Sequence, residues 1–310
     1  MRSALFLGPG LLLAFACAAA ACSGSSSAPG AADGDAATGT PPATGQDASD
    51  DTSVPNGDAG KDGGGPSSEA TEVEPNGGTP ATAVGTMVLP GKMNGTIDPV
   101  GDTDIFSIKL APGDFWEWTA TPTTGDLAPH VIVFDTTAGS LNPSVVGLAA
   151  AGAPATLQHF VLRTGTFVVG MRDARNVGAA GGKGGPTYGY GLVAKRTTPQ
   201  PIAVTFPATK TGKLASLGSV ALYTFTGTNG KGFDIIVRAE QKVPSSTLDS
   251  RLSLFDLTAK KAIITNDNAA GTTDSKVGSA DAAPSTYMVI VENEGKDDAD
   301  LSYEIEFALR

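Results

Sequence analysis

The chain has only two cysteines, Cys17 and Cys22, among 310 residues, and both lie near its start. No disulfide can therefore staple the body of the chain, which must rely on its own core or on a bound metal. Histidine is as scarce: His130 and His159 are the only two, and neither belongs to a His-Glu-x-x-His zinc motif. A Gly-x-Ser-x-Gly nucleophile turn is also missing. No catalytic residue is expected from these absences. The enzymatic alternative left open is a hydrolase with paired carboxylates, whose convergence in space a sequence does not reveal. Lysine and arginine total 21 against 32 aspartates and glutamates, a net charge of −11, so a phosphate-neutralising patch and a nucleic-acid partner are not expected. No uninterrupted apolar run reaches the ~20 residues of a membrane-spanning helix, and no long stretch keeps helical spacing.

The N-terminus reads as an export signal over residues 1–21. Met1 and Arg2 precede the mostly apolar stretch Ala4 to Ala16, which Gly8, Pro9 and Gly10 interrupt, and the small residues Ala19, Ala20 and Ala21 follow. The run Ala19-Ala20-Ala21-Cys22-Ser23 resembles a bacterial lipobox, with Ala19 where the lipobox usually has leucine. That resemblance implies lipidation at Cys22, anchorage to the cell envelope, and, from Ser23, sorting to an outer membrane. Cys22 would then be the single cysteine left after cleavage.

Residues 22–70 are dominated by Gly, Ala, Ser, Thr, Pro and Asp. From Ser23 to Ala70 there is no aromatic residue, and Val54 is the one apolar β-branched side chain. Such a segment cannot bury enough surface to offset its conformational entropy, so a disordered tether is expected, with a reach on the order of 40 Å. Eight acidic residues and one lysine give it a net charge of −7. With Arg2 contributing +1, the remainder of the −11 total is −5, a mild acidity for the folded part.

Beyond Thr71 the pattern has the two-residue period of strands, in short segments punctuated by Gly, Pro, Asn and Asp. Phe106, Ile108 and Leu110 alternate with Ser107 and Lys109, and Val131 to Phe134 form a nearly continuous apolar run. The series Gly95-Thr-Ile-Asp, Asp104 to Leu110, Ala128 to Asp135 and Thr166 to Val169 returns as Gly212-Lys-Leu-Ala, Ala221 to Gly227, Asp249 to Asp256 and Thr286 to Val289. This repeat predicts an all-β chain of two tandem sandwiches, residues 71–197 and 198–310, joined at Thr197-Thr198-Pro199-Gln200-Pro201.

The opening Glu72-Val73-Glu74-Pro75-Asn76, then Gly95-Thr96-Ile97 and Gly101 to Ile108, resembles the bacterial pre-peptidase C-terminal domain. Gly218 to Phe225, Leu252 to Asp256, Asn266-Asp267-Asn268 and Ser285-Thr286-Tyr287 extend the resemblance to the second repeat. It implies jelly-roll-like β-sandwiches, kinship with calcium-dependent collagen-binding modules, and a binding or accessory role. Calcium takes six to eight oxygen ligands. Glu72, Glu74 and Asn76 alternate along one segment, and Asp102 and Asp104 along another, so both sets can face one cation; a solvated acidic turn is the alternative. Gly77 stands where the family often has another acid. In the second repeat Ser219 and Ala221 replace Asp102 and Asp104, and Asp249, Asn266, Asp267 and Asp274 form a separate oxygen cluster that is either a metal site or turn chemistry.

Trp116 and Trp118 share one strand face and would suit either sugar stacking or a core; the spacing pairs them with Ile235 and Val237, which favours the core. The glycine-rich stretch Gly178 to Gly185 lacks the phosphate-loop pattern, since Gly184 follows Lys183, and is expected to be a mobile loop. His130 and His159 are expected to be structural or surface residues. The functions these features leave are a surface module that binds polysaccharide or a protein fibre, or a spacer that docks a partner enzyme in the envelope.

Overall fold

The structure, a computed structural model, describes residues 68–73, 85–136, 143–177, 182–243, 246–269, 272–295 and 299–310. Cys22, Glu74 and Asn76 lie outside the described residues, as do most of the tether and Gly178 to Gly181 of the glycine-rich stretch. Among the described residues regular structure is almost wholly strand, with one turn of 3-10 helix at Ala174–Asn176. No helix of the described residues is long and apolar enough to cross a membrane.

The first set of strands is β1 (Ser68–Thr71), β2 (Gly85–Thr86), β3 (Gly91–Thr96), β4 (Thr103–Leu110), β5 (Phe115–Pro122), β6 (Pro129–Asp135), β7 (Pro143–Leu148), β8 (Ala155–Phe160), β9 (Gly165–Asp173) and β10 (Gly189–Thr197). The second is β11 (Ile202–Ala203), β12 (Ala208–Lys213), β13 (Ala221–Thr226), β14 (Phe233–Arg238), β15 (Ser250–Asp256), β16 (Lys261–Asn266), β17 (Ser275–Ser279), β18 (Thr286–Asn293) and β19 (Ser302–Leu309). In the first sandwich the sheets run β1-β3-β10-β5-β8 and β2-β4-β9-β6-β7. In the second they run β12-β19-β14-β17 and β11-β13-β18-β15-β16. Strand for strand the orders coincide, with β3 answering β12 and β10 answering β19. Among the described residues only β1, which adds in parallel to the outer edge of β3, has no counterpart.

The alternating segments place one face inward as their period requires. Phe106, Ile108 and Leu110 of β4 are buried in the first core while Lys109 is exposed. Met93, Trp118, Val131, Val169 and Leu192 join them from both sheets. Tyr223, Ile235, Leu254, Val289, Ile305 and Phe307 do the same in the second. Each such side chain is worth about 1.5–3 kcal/mol of burial.

The register corrects one expected pairing. Tyr190 lies opposite Gly95 and Tyr303 opposite Gly212, so counting along β10 and β19 matches Trp116 with Phe233 and Trp118 with Ile235, two residues from the sequence alignment. Unequal loops shift the count by an even number, which keeps the same face inward. Both indoles are buried in the first core, with ring centroids 6.2 Å apart.

A third apolar cluster joins the sandwiches: Phe115 and Phe160 of the first pack with Leu222, Phe255, Met288 and Ile290 of the second. The Phe160 and Phe255 rings meet edge to face at 5.2 Å. The Gln158 N–H donates to the Gly218 carbonyl at 2.7 Å, and its side-chain oxygen accepts from Val220 N–H at 3.0 Å. Beside this seam a cavity of about 100 Å³ is lined by Asp135, His159, Arg163, Arg251 and Glu292. The Arg251 guanidinium there holds the buried Glu292 at 2.9 Å.

Candidate cation site

Strand β1 ends by delivering Glu72 beside β3, where the Glu72 N–H donates to the Asn94 carbonyl at 3.0 Å. The Glu72 carboxylate accepts from the Thr96 N–H through one oxygen and from the Tyr190 hydroxyl, at 3.2 Å, through the other. Gly95 makes this meeting sterically feasible. A Cβ there would lie 2.4 Å from the Tyr190 hydroxyl and 2.5 Å from Glu72 Oε2. The glycine of the Gly-Thr-Ile motif is thus a steric vacancy filled by a phenol and a carboxylate.

Asp104 enters from the opposite sheet at the start of β4 and is completely buried. Neither of its oxygens makes a hydrogen bond of good geometry among the described residues, although the Tyr190 hydroxyl and the Glu72 carboxyl lie close enough to interact with it, and one oxygen of Asp102 is also buried without a well-aligned partner there. Burial pushes the Asp104 carboxyl well above the usual carboxylate range, and the nearby Glu72 and Asp102 charges push in the same direction. Burial likewise raises Tyr190, reinforced by the Asp104 and Glu72 charges. A buried carboxylate with at most a poorly aligned phenol to donate to it is costly, and a cation or a proton removes that cost.

The structure therefore brings Glu72, Asp102 and Asp104 into one electrostatic neighbourhood. Among the described residues, however, no three His, Cys, Asp or Glu side chains close into a metal-holding group. The oxygen chemistry suits a hard cation such as calcium, for which Glu72, Asp102 and Asp104 are the described ligand candidates. Alongside, a groove of about 680 Å³ opens between Glu72, Tyr190, Asp98 and the hydroxyls of Thr71, Thr96, Thr123 and Thr124.

The described part of the glycine-rich stretch supports the strand entrance to Asp102. The Lys183 carbonyl accepts from Gly101 N–H at 3.1 Å, and Gly185 N–H donates to the Ile97 carbonyl at 2.8 Å. Asn176 holds Lys183 through both its N–H and its carbonyl, the second at 2.9 Å.

The second sandwich carries the neutral form of this arrangement. Gly212 again makes room for a tyrosine, since a Cβ there would lie 2.4 Å from Tyr303 Cζ. Ala221 occupies the Asp104 position by register, and the Tyr303 hydroxyl shares a hydrogen bond of 2.9 Å with Tyr223, which stands at the Phe106 position. The carboxylates occur only in the sandwich that has the extra strand. Sequence reading missed Tyr190; the recurrence of a tyrosine opposite the repeat's glycine was the available signal.

The four oxygen-bearing residues of the second repeat divide their tasks. Asp274 Oδ1 accepts from the Ala239 and Glu240 N–H groups at 2.8 and 3.2 Å, tying down the loop after β14, while its other oxygen has no hydrogen-bond partner among the described residues. Asn266 accepts from Lys276 N–H at 3.2 Å. Asp249 is raised above the ordinary carboxylate range by burial and then by the Glu294 and Asp267 charges, and Asp267 itself is exposed. Two of the four thus act as backbone ties.

Both histidines are buried. His130 Nδ1 accepts from Arg172 at 3.1 Å, and burial followed by that cation pushes its pKa down to about 3. Burial and then Arg251 push His159 down to about 4, against the opposing pull of Asp135. Each is a neutral packing residue near pH 7.

No family model matches the chain, and no curated protein matches it. Among solved structures, the pre-peptidase C-terminal domain of a collagenase from Bacillus anthracis is 17% identical, with a TM-score of 0.30, and the match covers 36% of this chain and 99% of that one. A periplasmic inhibitor of g-type lysozyme from Aeromonas hydrophila is 15% identical, at a TM-score of 0.28, covering 36% of this chain and 96% of its own. The tandem CBM51 modules of a family 98 glycoside hydrolase from Streptococcus pneumoniae are 9% identical, at a TM-score of 0.21, covering 66% and 81%. At these identities the likeness transfers no residue role or ligand.

Proposed function

We propose that the chain is an exported, lipid-anchored, non-catalytic module that binds an extracellular polymer, polysaccharide or protein fibre, and that calcium orders its first sandwich. The observation that carries this reading is the completely buried Asp104 carboxyl, without a well-aligned hydrogen bond among the described residues and close to the Glu72 and Asp102 charges. Calcium bound there would fasten β1, the first strand after the tether, to the sandwich it belongs to. Glu74 and Asn76 would complete the ligand set from the same segment, and lipidation at Cys22 would hold the module at an envelope surface, with the outer membrane as the proposed destination.

The hydroxyl-lined groove beside Glu72 supports a polymer ligand, because it offers many hydrogen-bonding groups in an open channel. A glycan array and a collagen pull-down with the full chain, each repeated with chelator, test the reading. Retention of one polymer, weakened by chelation, is expected; retention of none would overturn the polymer reading. The apolar seam between the sandwiches favours a second reading, a stiff spacer docking a partner enzyme, which predicts envelope association without polymer retention.

A further inference from the structure

The comparison of the two sandwiches exposes an open position. In the first, the outer edge of β3 is occupied by β1, paired in parallel from Ser68 opposite Gly91 to Thr71 opposite Asn94. In the second, the equivalent edge strand β12 pairs only with β19 among the described residues. Its side chains show the difference: every residue of β3 is buried or half-buried, whereas Thr209, Lys210, Thr211 and Lys213 of β12 are exposed. A bare edge offers a row of backbone N–H and C=O groups to an incoming strand.

Charge selects what that strand would be. The 60 residues from Ala174 to Phe233 contain no aspartate or glutamate and seven lysines and arginines, in a chain whose net charge is −11. Both charged side chains of β12 are lysines. Two such edges brought together would oppose lysine to lysine, which disfavours pairing between copies, and a basic or neutral strand gains nothing from them. An acidic strand would add attractive contacts to Lys210 and to Lys213, whose ammonium already lies 3.3 Å from the Asp300 carboxylate. The chain contains a precedent for an acidic strand on this edge, though not for a contact at the same positions: Glu69 of β1 accepts from Lys92 at 2.9 Å and from Asn94 at 2.7 Å, which the register matches to Thr209 and Thr211 of β12.

We propose that the outer edge of β12 is a docking site for an extended acidic segment of a partner protein, which adds as a strand beside Lys210 and Lys213. The site is separate from the cation cluster and does not depend on it.

A labelled peptide with the sequence of residues 67–74, Ser-Ser-Glu-Ala-Thr-Glu-Val-Glu, is a suitable probe for the full chain. Fluorescence anisotropy should show saturable binding, and hydrogen exchange should slow over residues 208–213 while residues 91–96, already covered by β1, stay unchanged. Lys210→Glu, at an exposed position, should weaken binding about tenfold when combined with Lys213→Gln, a shift of ~1.4 kcal/mol. The same peptide with its glutamates replaced by lysines should reverse the preference, binding the Lys210→Glu chain better than the parent. Three results would overturn the proposal: no slowing at 208–213, equal binding of both peptides to the parent chain, or protection at 208–213 that arises from self-association of the chain without peptide.

Discussion

Replacing Phe255 with alanine deletes a fully buried ring from the seam where the two sandwiches meet. The ring packs edge to face on Phe160 at 5.2 Å, and a Cβ added at Gly113 would touch it at 3.7 Å, so the first sandwich forms much of its surroundings. Truncating a buried phenylalanine costs about 3–5 kcal/mol, and the aromatic pair adds about 0.5–1.5 kcal/mol that a double-mutant cycle with Phe160→Ala should recover as coupling. Both tryptophans, Trp116 and Trp118, lie in the first sandwich while Phe255 lies in the second, so their fluorescence reports unfolding on the far side of the seam. In urea, the fluorescence transition of Phe255→Ala should move to lower denaturant along with the far-UV dichroism. A tryptophan transition that stays in place while the dichroism shifts would refute the claim that the seam couples the two cores.

The glycines opposite the two tyrosines should respond alike in stability and differently in calcium. Gly95→Ala and Gly212→Ala should each destabilise by about 1–3 kcal/mol through overpacking against Tyr190 and Tyr303, and only Gly95→Ala should also weaken a calcium-dependent rise in melting temperature. His159 is neutral in the folded chain, with its pKa pushed down to about 4 by burial, and becomes protonated on unfolding near its ordinary value of 6.5. Its contribution to stability is therefore present above the ordinary value and is lost as pH falls towards the folded one, at up to about 1.4 kcal/mol per pH unit. His159→Gln should flatten the pH dependence of unfolding between those two values; an unchanged slope in chemical denaturation would remove His159 as its source.

The β architecture was legible because alternation is enforced by the pleat: Phe106, Ile108 and Leu110 reach the core at every second residue, with Lys109 left outside. The repeat carried the matching of strands, because two copies with the same core positions must fold into the same sheets. It erred only in the partners of Trp116 and Trp118, where loop length, not face, was misjudged. The seam was not legible. The apolar run from Tyr287 to Val291 announces a strand buried on both sides, and nothing in it says that the outer side, with Met288 and Ile290, meets Phe115 and Phe160 of the other sandwich. At the candidate site the acids Glu72, Asp102 and Asp104 were visible as alternating pairs. The role of Tyr190 depends on β10 lying opposite Gly95, a pairing between residues 95 apart in sequence.

Calorimetric titration of the chain with calcium, followed by melting in calcium and in chelator, tests the central claim that the extra strand of the first sandwich is fastened by a cation on buried carboxylates. Calcium at 100 times its dissociation constant should add about 2.7 kcal/mol to stability and several degrees to the melting temperature, and Asp104→Asn should abolish both the heat of binding and the rise. An identical melt in millimolar calcium and in chelator, or a calcium response that survives Asp104→Asn, would contradict it.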